Sequence, residues 1–313
     1  MGTYVRTQSI DHAVGERGSV SLTITSGDMR ARGIAGGEAH VRATFEISAA
    51  SDADADRIFE AVQLHVRRDK DELDIVEREG APSMGSVISR LLGGAGHYEL
   101  SVEGEIPAAA TLLLATVSSD VEATGLRGEQ RYRTVSGDLL LSELGGSVQL
   151  ESVSGDATIR ADEPLAAQVQ GVSGDVSITA PTLRSLRAHT VSGDVEIEAQ
   201  LDASGDFKVE TVSGDLTIGL VGSATFEVHG LSSDVSSELD HRLEGQVDRR
   251  RLIVGSGGPR LVFNSMSGDV NVRRPRRLPA VGRGPERQLD VLRALERGEI
   301  DVDEATRRLA GGS

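Results

Sequence analysis

Val153–Asp194 reads VSGDATIRADEPLAAQVQGVSGDVSITAPTLRSLRAHTVSGD, in which Val-Ser-Gly-Asp occurs three times, ending at Asp156, Asp175 and Asp194. Outward from this stretch the same tetrapeptide ends at Asp138 and Asp215, and variants end at Asp120 (VSSD), Asp234 (LSSD) and Asp269 (MSGD). Successive separations are 18, 18, 19, 19, 21, 19 and 35 residues, the last read as two periods with one degenerate turn between them. A fixed period of this size marks a stacked repeat, in which no single unit can bury its own apolar face. A further copy at 203–206 falls off the register, and Ser26-Gly27-Asp28 lies far upstream of it.

Each period divides by strand parity. Val172, Gly174, Val176 and Ile178 alternate with Ser173, Asp175, Ser177 and Thr179, which assigns the motif valine and glycine to the buried face. A second alternating segment precedes each motif, such as Leu112 and Leu114 or Phe207 and Val209. Its parity slips by one after a small residue four positions before the Asp (Thr116, Thr134, Ser152, Gly171, Thr190, Thr211 or Gly230), which reads as a corner or bulge. Two short strands per unit predict an all-β fold, a parallel, β-helix-like β-solenoid with coils of about 18–21 residues stacked about 4.8 Å apart. The crossover preference favours a right-handed coil. The inward glycine has two explanations, a backbone kink or close approach of the opposite wall.

Stacking also places Asp120, Asp138, Asp156, Asp175, Asp194, Asp215, Asp234 and Asp269 in a ladder. Two bare carboxylates about 5 Å apart repel by about 0.8 kcal/mol even in water, so something must offset the column. Either each carboxylate accepts bonds from the adjacent Ser hydroxyl and turn amides, or the column collects Ca²⁺ or other cations.

The ends differ from the middle. Residues 1–105 are strand-rich but not periodic and predict an irregular β cap, with a short helix over Ser51–Ala61 capped by Ser51 or Asp52 and facing Ile58, Phe59 and Val62 inward. Residues 106–272 form the predicted solenoid, and Gly80–Gly96 a loop within the cap. Arg273–Gly284 has five Arg, two Pro, two Gly and no acid, and reads as an extended linker. Residues 285–313 predict a helical hairpin, with Leu289, Leu292 and Leu295 on the first helix and Val302 and Leu309 on the second, offered to a protein partner or a second copy.

Composition closes off several classes of function. The 313 residues include 37 Gly but only 5 Phe, 3 Tyr and no Trp, which disfavours a mostly helical protein because interior glycine weakens a helix. The absence of cysteine excludes a disulfide framework, a thiolate nucleophile and a Cys-ligated metal. The formal net charge of −16 disfavours a general nucleic-acid binder. Residues 273–313 carry 10 Arg and 7 acids, a net of +3, leaving −19 on residues 1–272. The seven His show no HExxH spacing, and neither a GxSxG elbow nor a phosphate-binding GxxxxGK[ST] loop occurs. No catalytic residue, cofactor or metal is predicted. No basic segment followed by an apolar stretch opens the chain and no apolar run reaches about 20 residues, so the expectation is cytoplasmic, with a cell-surface or membrane-peripheral place left open.

With its VSGD repeats, the stretch from about residue 15 to 272 resembles the bacterial putative-adhesin β-strand-repeat family of unknown function, itself similar to auto-transporter adhesin head domains. Leu292–Leu309 (LRALERGEIDVDEATRRL) resembles the short helical-hairpin modules of the SHOCT-like kind. The resemblance implies a non-enzymatic scaffold or binding module and carries over no catalytic residue. Two alternatives stand beside it: a cell-envelope stress sensor that binds cationic peptides or an envelope component, and a carbohydrate-active β-helix enzyme. A repeated Asp in every coil speaks against the last, because an active site breaks the symmetry of a repeat.

Overall fold

In the computed structural model, residues 2–77, 98–246 and 249–276 are described. The chain opens with β1 (Gly2–Ala13), β2 (Ser19–Ser26), β3 (Asp28–Ile34), β4 (Glu38–Ala49) and a helix α1 (Asp52–Val62), followed by β5 (His65–Asp69), β6 (Glu72–Val76) and β7 (Tyr98–Pro107). The repeats supply β8 (Thr111–Ser118), β9 (Val121–Thr124), β10 (Glu129–Ser136), β11 (Leu139–Ser152), β12 (Ala157–Gly171) and β13 (Val176–Ser192). They continue with β14 (Val195–Leu201), β15 (Phe207–Ser213), β16 (Leu216–Val221), β17 (Ala224–Ser232) and β18 (Val235–Ser237). The remaining strands are β19 (His241–Gln246), β20 (Arg249–Val254), β21 (Arg260–Ser267) and β22 (Val270–Arg273). The protein is nearly all β, and its fold is solenoid-like.

Two parallel walls run the length of the stack. On one, Met29 pairs with Val121, then in turn come Leu139, Ala157, Val176, Val195, Leu216, Val270 and Val235. On the other, Ile75 pairs with Leu22, followed by Leu114, Tyr132, Leu150, Val169, Ala188, Val209, Phe263 and Val228. Both rows belong to one contiguous apolar core of Val, Leu, Ile, Ala and a few rings. Each coil supplies only a thin slice of it, so stability comes from neighbours.

The stack does not follow chain order at its ends. β21 and β22 insert between the coil of β15 and β16 and the coil of β17 and β18. The 35-residue gap before Asp269 is therefore not two periods with a degenerate turn. The chain leaves the stack after β18, makes the antiparallel pair of β19 and β20 against β17, and returns one coil earlier. The other end mirrors this, because β2 and β3 lie between β6 and β7 on one side and β8 and β9 on the other. Ser26-Gly27-Asp28 is thereby a repeat corner, with Ser26 beside Ser118 and Met29 beside Val121. Antiparallel strands β4 and β1 then cover β7, and β5 covers β6, so the parallel edges do not face solvent bare.

Helix α1 packs on this first end. The Ser51 hydroxyl accepts from the Asp54 amide, Ala55 is buried, and Phe59 meets Phe45 edge-on at 5.4 Å. Arg6 on β1 bridges Asp52 and Asp56 at 2.6 and 2.7 Å.

The corner differs from the parity read off the sequence. Thr116, Thr134, Thr190 and Thr211 point inward, whereas the following valine and serine both face out. Val117, Val135, Val153, Val172, Val191, Val212 and Met266 are between 38% and 58% exposed. Their parity belongs to the strand before the corner, and the slip falls between valine and serine. The glycine then turns the chain with positive φ, +117° at Gly174. A Cβ there would overlap the carbonyl oxygen of Gly155 in the adjoining coil, so the close approach comes from the neighbouring turn and not from the opposite wall.

Residues 277–313, which carry most of the predicted linker and the whole helical hairpin with Leu289, Leu292, Leu295, Val302 and Leu309, lie outside the described residues, as does the whole Gly80–Gly96 loop. Arg273, read as the first residue of the linker, is the last residue of β22.

Candidate functional site

The recurring corner brings together all eight aspartates singled out by their spacing. Each is exposed, and their spatial order is Asp120, Asp138, Asp156, Asp175, Asp194, Asp215, Asp269, Asp234. The Asp138 amide donates to Oδ1 of Asp120 at 2.9 Å, and the same bond links every successive pair, at 2.7–2.9 Å. In the opposite sense each Asp carbonyl accepts from the residue after the preceding Asp, as Val176 N–H donates to Asp194 O at 2.9 Å. One carboxylate oxygen is thus spent on the backbone of the next coil, not on the neighbouring Ser hydroxyl. That bond offsets part of the repulsion between stacked charges and leaves the second oxygen facing solvent. Among the described residues, no group of three or more His, Asp or Glu is placed to hold a metal ion.

This geometry separates hydrogen bonding from charge. Asp156→Asn keeps an acceptor for the Asp175 amide and removes one stacked charge, so its unfolding free energy should stay within about 0.5 kcal/mol of wild type. Asp156→Ala loses the acceptor and should cost about 1 kcal/mol. Urea denaturation distinguishes them, and equal losses in the two variants would mean that the amide bond contributes nothing.

The corner is a ridge with two flanks. Asp side chains line one, and the exposed Val117, Val135, Val153, Val172, Val191, Val212 and Met266 line the other. The valine stripe was not legible as an outer surface, since an apolar residue beside a glycine reads as core. The off-register copy at 203–206 serves elsewhere: Asp202 accepts from the Ser204 hydroxyl and amide, which hold its carboxyl below the usual range, and Asp206 pairs with Arg187 at 2.7 Å.

Three polar features lie off the ridge. Arg127 grips Asp162 with two bonds of 2.8 Å at the corner between coils. A 520 Å³ groove near the first end holds cross-strand rows of alternating charge, with Arg42 opposite Glu103 and Glu103 opposite Arg30. In the same groove His40 meets Asp11 at 2.7 Å, a hydrogen bond that raises the His40 pKa. A 380 Å³ groove along the Asp flank is lined in part by Asp156, Asp175, Asp194, Glu196, Arg273 and Arg276. Its buried end is Arg273, whose guanidinium pairs with Glu196 and, at 2.8 Å, with Glu198.

The family described as Toastrack DUF4097 matches residues 94–182 and 165–273, together more than half of the chain. The chain belongs to the Toastrack family. The two Toastrack matches overlap over 165–182, within β12 and β13. The Toastrack ridge from Asp120 to Asp269 falls wholly inside the matched residues, and β1 to β6 lie before them. Among solved structures, a putative adhesin from Bacteroides fragilis is 12% identical, with 85% of this chain and 97% of that one covered at a TM-score of 0.42. A putative lipid binding protein from Parabacteroides distasonis is 10% identical over 85% and 96%, at a TM-score of 0.43. A putative cell adhesion protein from Clostridium sporogenes is 10% identical over 87% and 100%, at a TM-score of 0.26. No curated protein matches the chain. No helix among the described residues is long and apolar enough to cross a membrane.

Proposed function

We propose that this Toastrack chain is a non-enzymatic β-solenoid binding module, with the corner ridge as its contact surface and residues 285–313 as a helical hairpin that contacts a protein or a second copy. The observation that carries this reading is the uniformity of the ridge. Seven of the eight carboxylates, Asp120 to Asp269 in spatial order, accept the same backbone bond from the next coil, and Asp234 at the end of the ladder pairs with Arg250 at 3.3 Å. Repetition of one geometry suits an extended contact along the stack, as repeat proteins use their surfaces, whereas acid–base chemistry needs one carboxylate set apart from its neighbours.

Truncation after Arg276 tests the tail. Cutting there spares Arg273 and its ion pairs, so the thermal transition of the body should persist. Light scattering on the full and truncated chains should show a loss of association in the truncated one. Equal oligomeric states of both, with a partner-free full chain, would remove the hairpin from the reading.

A second reading, sensing of cationic peptides, is favoured by the row of solvent-facing carboxylate oxygens on a body of net charge −19. A tetra-arginine peptide should then bind with an affinity that falls steeply with salt. Binding that ignores salt, or none, removes this second reading and leaves the first in place.

A further inference from the structure

We propose that β19 is a docking edge for a second copy of this chain, and that two molecules pair their β19 strands antiparallel about a two-fold axis at Leu243. β19 ends the second wall. That wall finishes in the order β21, β17, β20, β19, and among the described residues β20 is the one strand that pairs with β19. All of His241–Gln246 is exposed. The first end of the stack treats its edges differently: the Gln8 side chain on β1 bonds both the amide and the carbonyl of Leu64, and Arg68 on β5 donates to the Asp11 carbonyl at 3.3 Å. Among the described residues no side chain covers the outer edge of β19 in that way. A bare edge is a template for another strand.

Ladder parity decides which groups this edge offers. The Gly255 amide donates to the Asp240 carbonyl at 3.0 Å, and the register continues to Gln246 opposite Arg249. Hydrogen-bonded pairs alternate along an antiparallel ladder, so Arg242 and Glu244 bond inward to β20, while His241, Leu243 and Gly245 turn their N–H and C=O outward. A two-fold axis at Leu243 sets Leu243 against its own copy and His241 against the second copy's Gly245. Every outward donor then meets an outward acceptor. Shifting the register by one residue would set outward groups against inward ones. Gly245 takes φ +100° and ends the regular run, which keeps the contact short.

The side chains agree with that register on both faces. On the outer face Arg242 and Glu244 lie two residues apart and pair with each other at 2.7 Å. About the two-fold axis, Arg242 stands opposite the second copy's Glu244 and Glu244 opposite its Arg242, at the non-hydrogen-bonded positions where cross-strand side chains come closest. A parallel pairing in register would instead set like charges side by side. On the inner face a core row runs through Leu261, Phe226 and Leu252, all 0% exposed, to Leu243, which is 46% exposed. The second copy continues the row with its own Leu243, so the two leucines cover each other. An isologous contact of this kind closes at two molecules. It is short and mostly backbone, so the dimer is weak and concentration-dependent. It makes no use of the ridge and stands apart from the hairpin proposed for residues 285–313.

Cross-linking of the full chain tests it, and because the sequence has no cysteine an introduced thiol reacts only with its own copy. Across a hydrogen-bonded antiparallel pair the Cα atoms are about 5.5 Å apart, within the span of a disulfide. Leu243→Cys should therefore form a covalent dimer under mild oxidation at least about tenfold faster than Val5→Cys, an exposed position at the other end of the stack. Adding Arg242→Glu or Glu244→Arg to Leu243→Cys sets like charges opposite each other and should slow the reaction about tenfold. Mixing those two double variants sets acid opposite base again, and the mixed dimer should form as fast as Leu243→Cys alone. Equal rates for Leu243→Cys and Val5→Cys overturn the pairing, as do charge variants that change nothing or a mixture that stays slow. Association through the tail would speed both thiols alike, so the truncation experiment and this one fail separately.

Discussion

Gly174→Ala should destabilise the chain by about 3–5 kcal/mol, enough to abolish folding in a marginal domain. Glycine to alanine at an unstrained position usually stabilises by about 0.4–1 kcal/mol, through the unfolded chain. Here the sign reverses for two reasons. Gly174 has φ +117°, a region that residues with a Cβ rarely enter, and the added methyl would overlap the Gly155 carbonyl oxygen. That oxygen is backbone, and the flanking residues Ser154 and Asp156 are hydrogen-bonded to the coils on either side, so the coil can accommodate the methyl only by separating from its neighbour. Gly193 presses on the Gly174 carbonyl in the same way, and a displaced turn therefore loosens two interfaces. Ser173→Ala, one residue earlier and exposed, should stay within about 0.5 kcal/mol of wild type. Urea denaturation of the pair checks this, and a small effect at Gly174 would show that the coils do not stack turn on turn.

The repeat was legible because its cause is local and recurrent. Alternation in Val176 and Ile178 or Val195 and Ile197 marks straight wall strands, and these residues are buried as read. Where the chain bends, alternation stops being a guide: Val172 and Ser173 both face out because the corner, not the strand, sets their direction. Stacking order was not legible at all. A period says that coils resemble one another, but which coil touches which is decided by long-range pairing, so nothing in the spacing announces that Asp269 precedes Asp234 in the ladder. The same holds for Ser26-Gly27-Asp28, whose place beside the corner of Asp120 depends on an excursion through β4 to β7. As for the candidate site, the spacing supplied the identity of its aspartates and the structure supplied their partner, the amide of the next coil.

The ion pair at Arg273 had no sequence signal, since Glu196 and Glu198 lie in a coil far upstream, yet its removal should have an effect as large as that of the corner glycine. Arg273→Ala takes away the guanidinium that faces Glu196 and Glu198, and Glu198 is only 8% exposed. Removing one member of a buried ion pair costs about 3–5 kcal/mol, while exchanging both members for apolar residues of similar volume is often neutral; Glu198 keeps the bond from the Arg276 amide at 3.2 Å but loses its charged partner. Arg273→Ala should therefore be severe, and Arg273→Met/Glu198→Leu close to wild type. Arg273 Nε is buried without a partner, so the wild-type pair is itself incompletely satisfied and the double variant has little to lose. Urea denaturation of the single and double variants reads the difference. If the double variant is as unstable as the single one, packing and not charge holds this end of the wall.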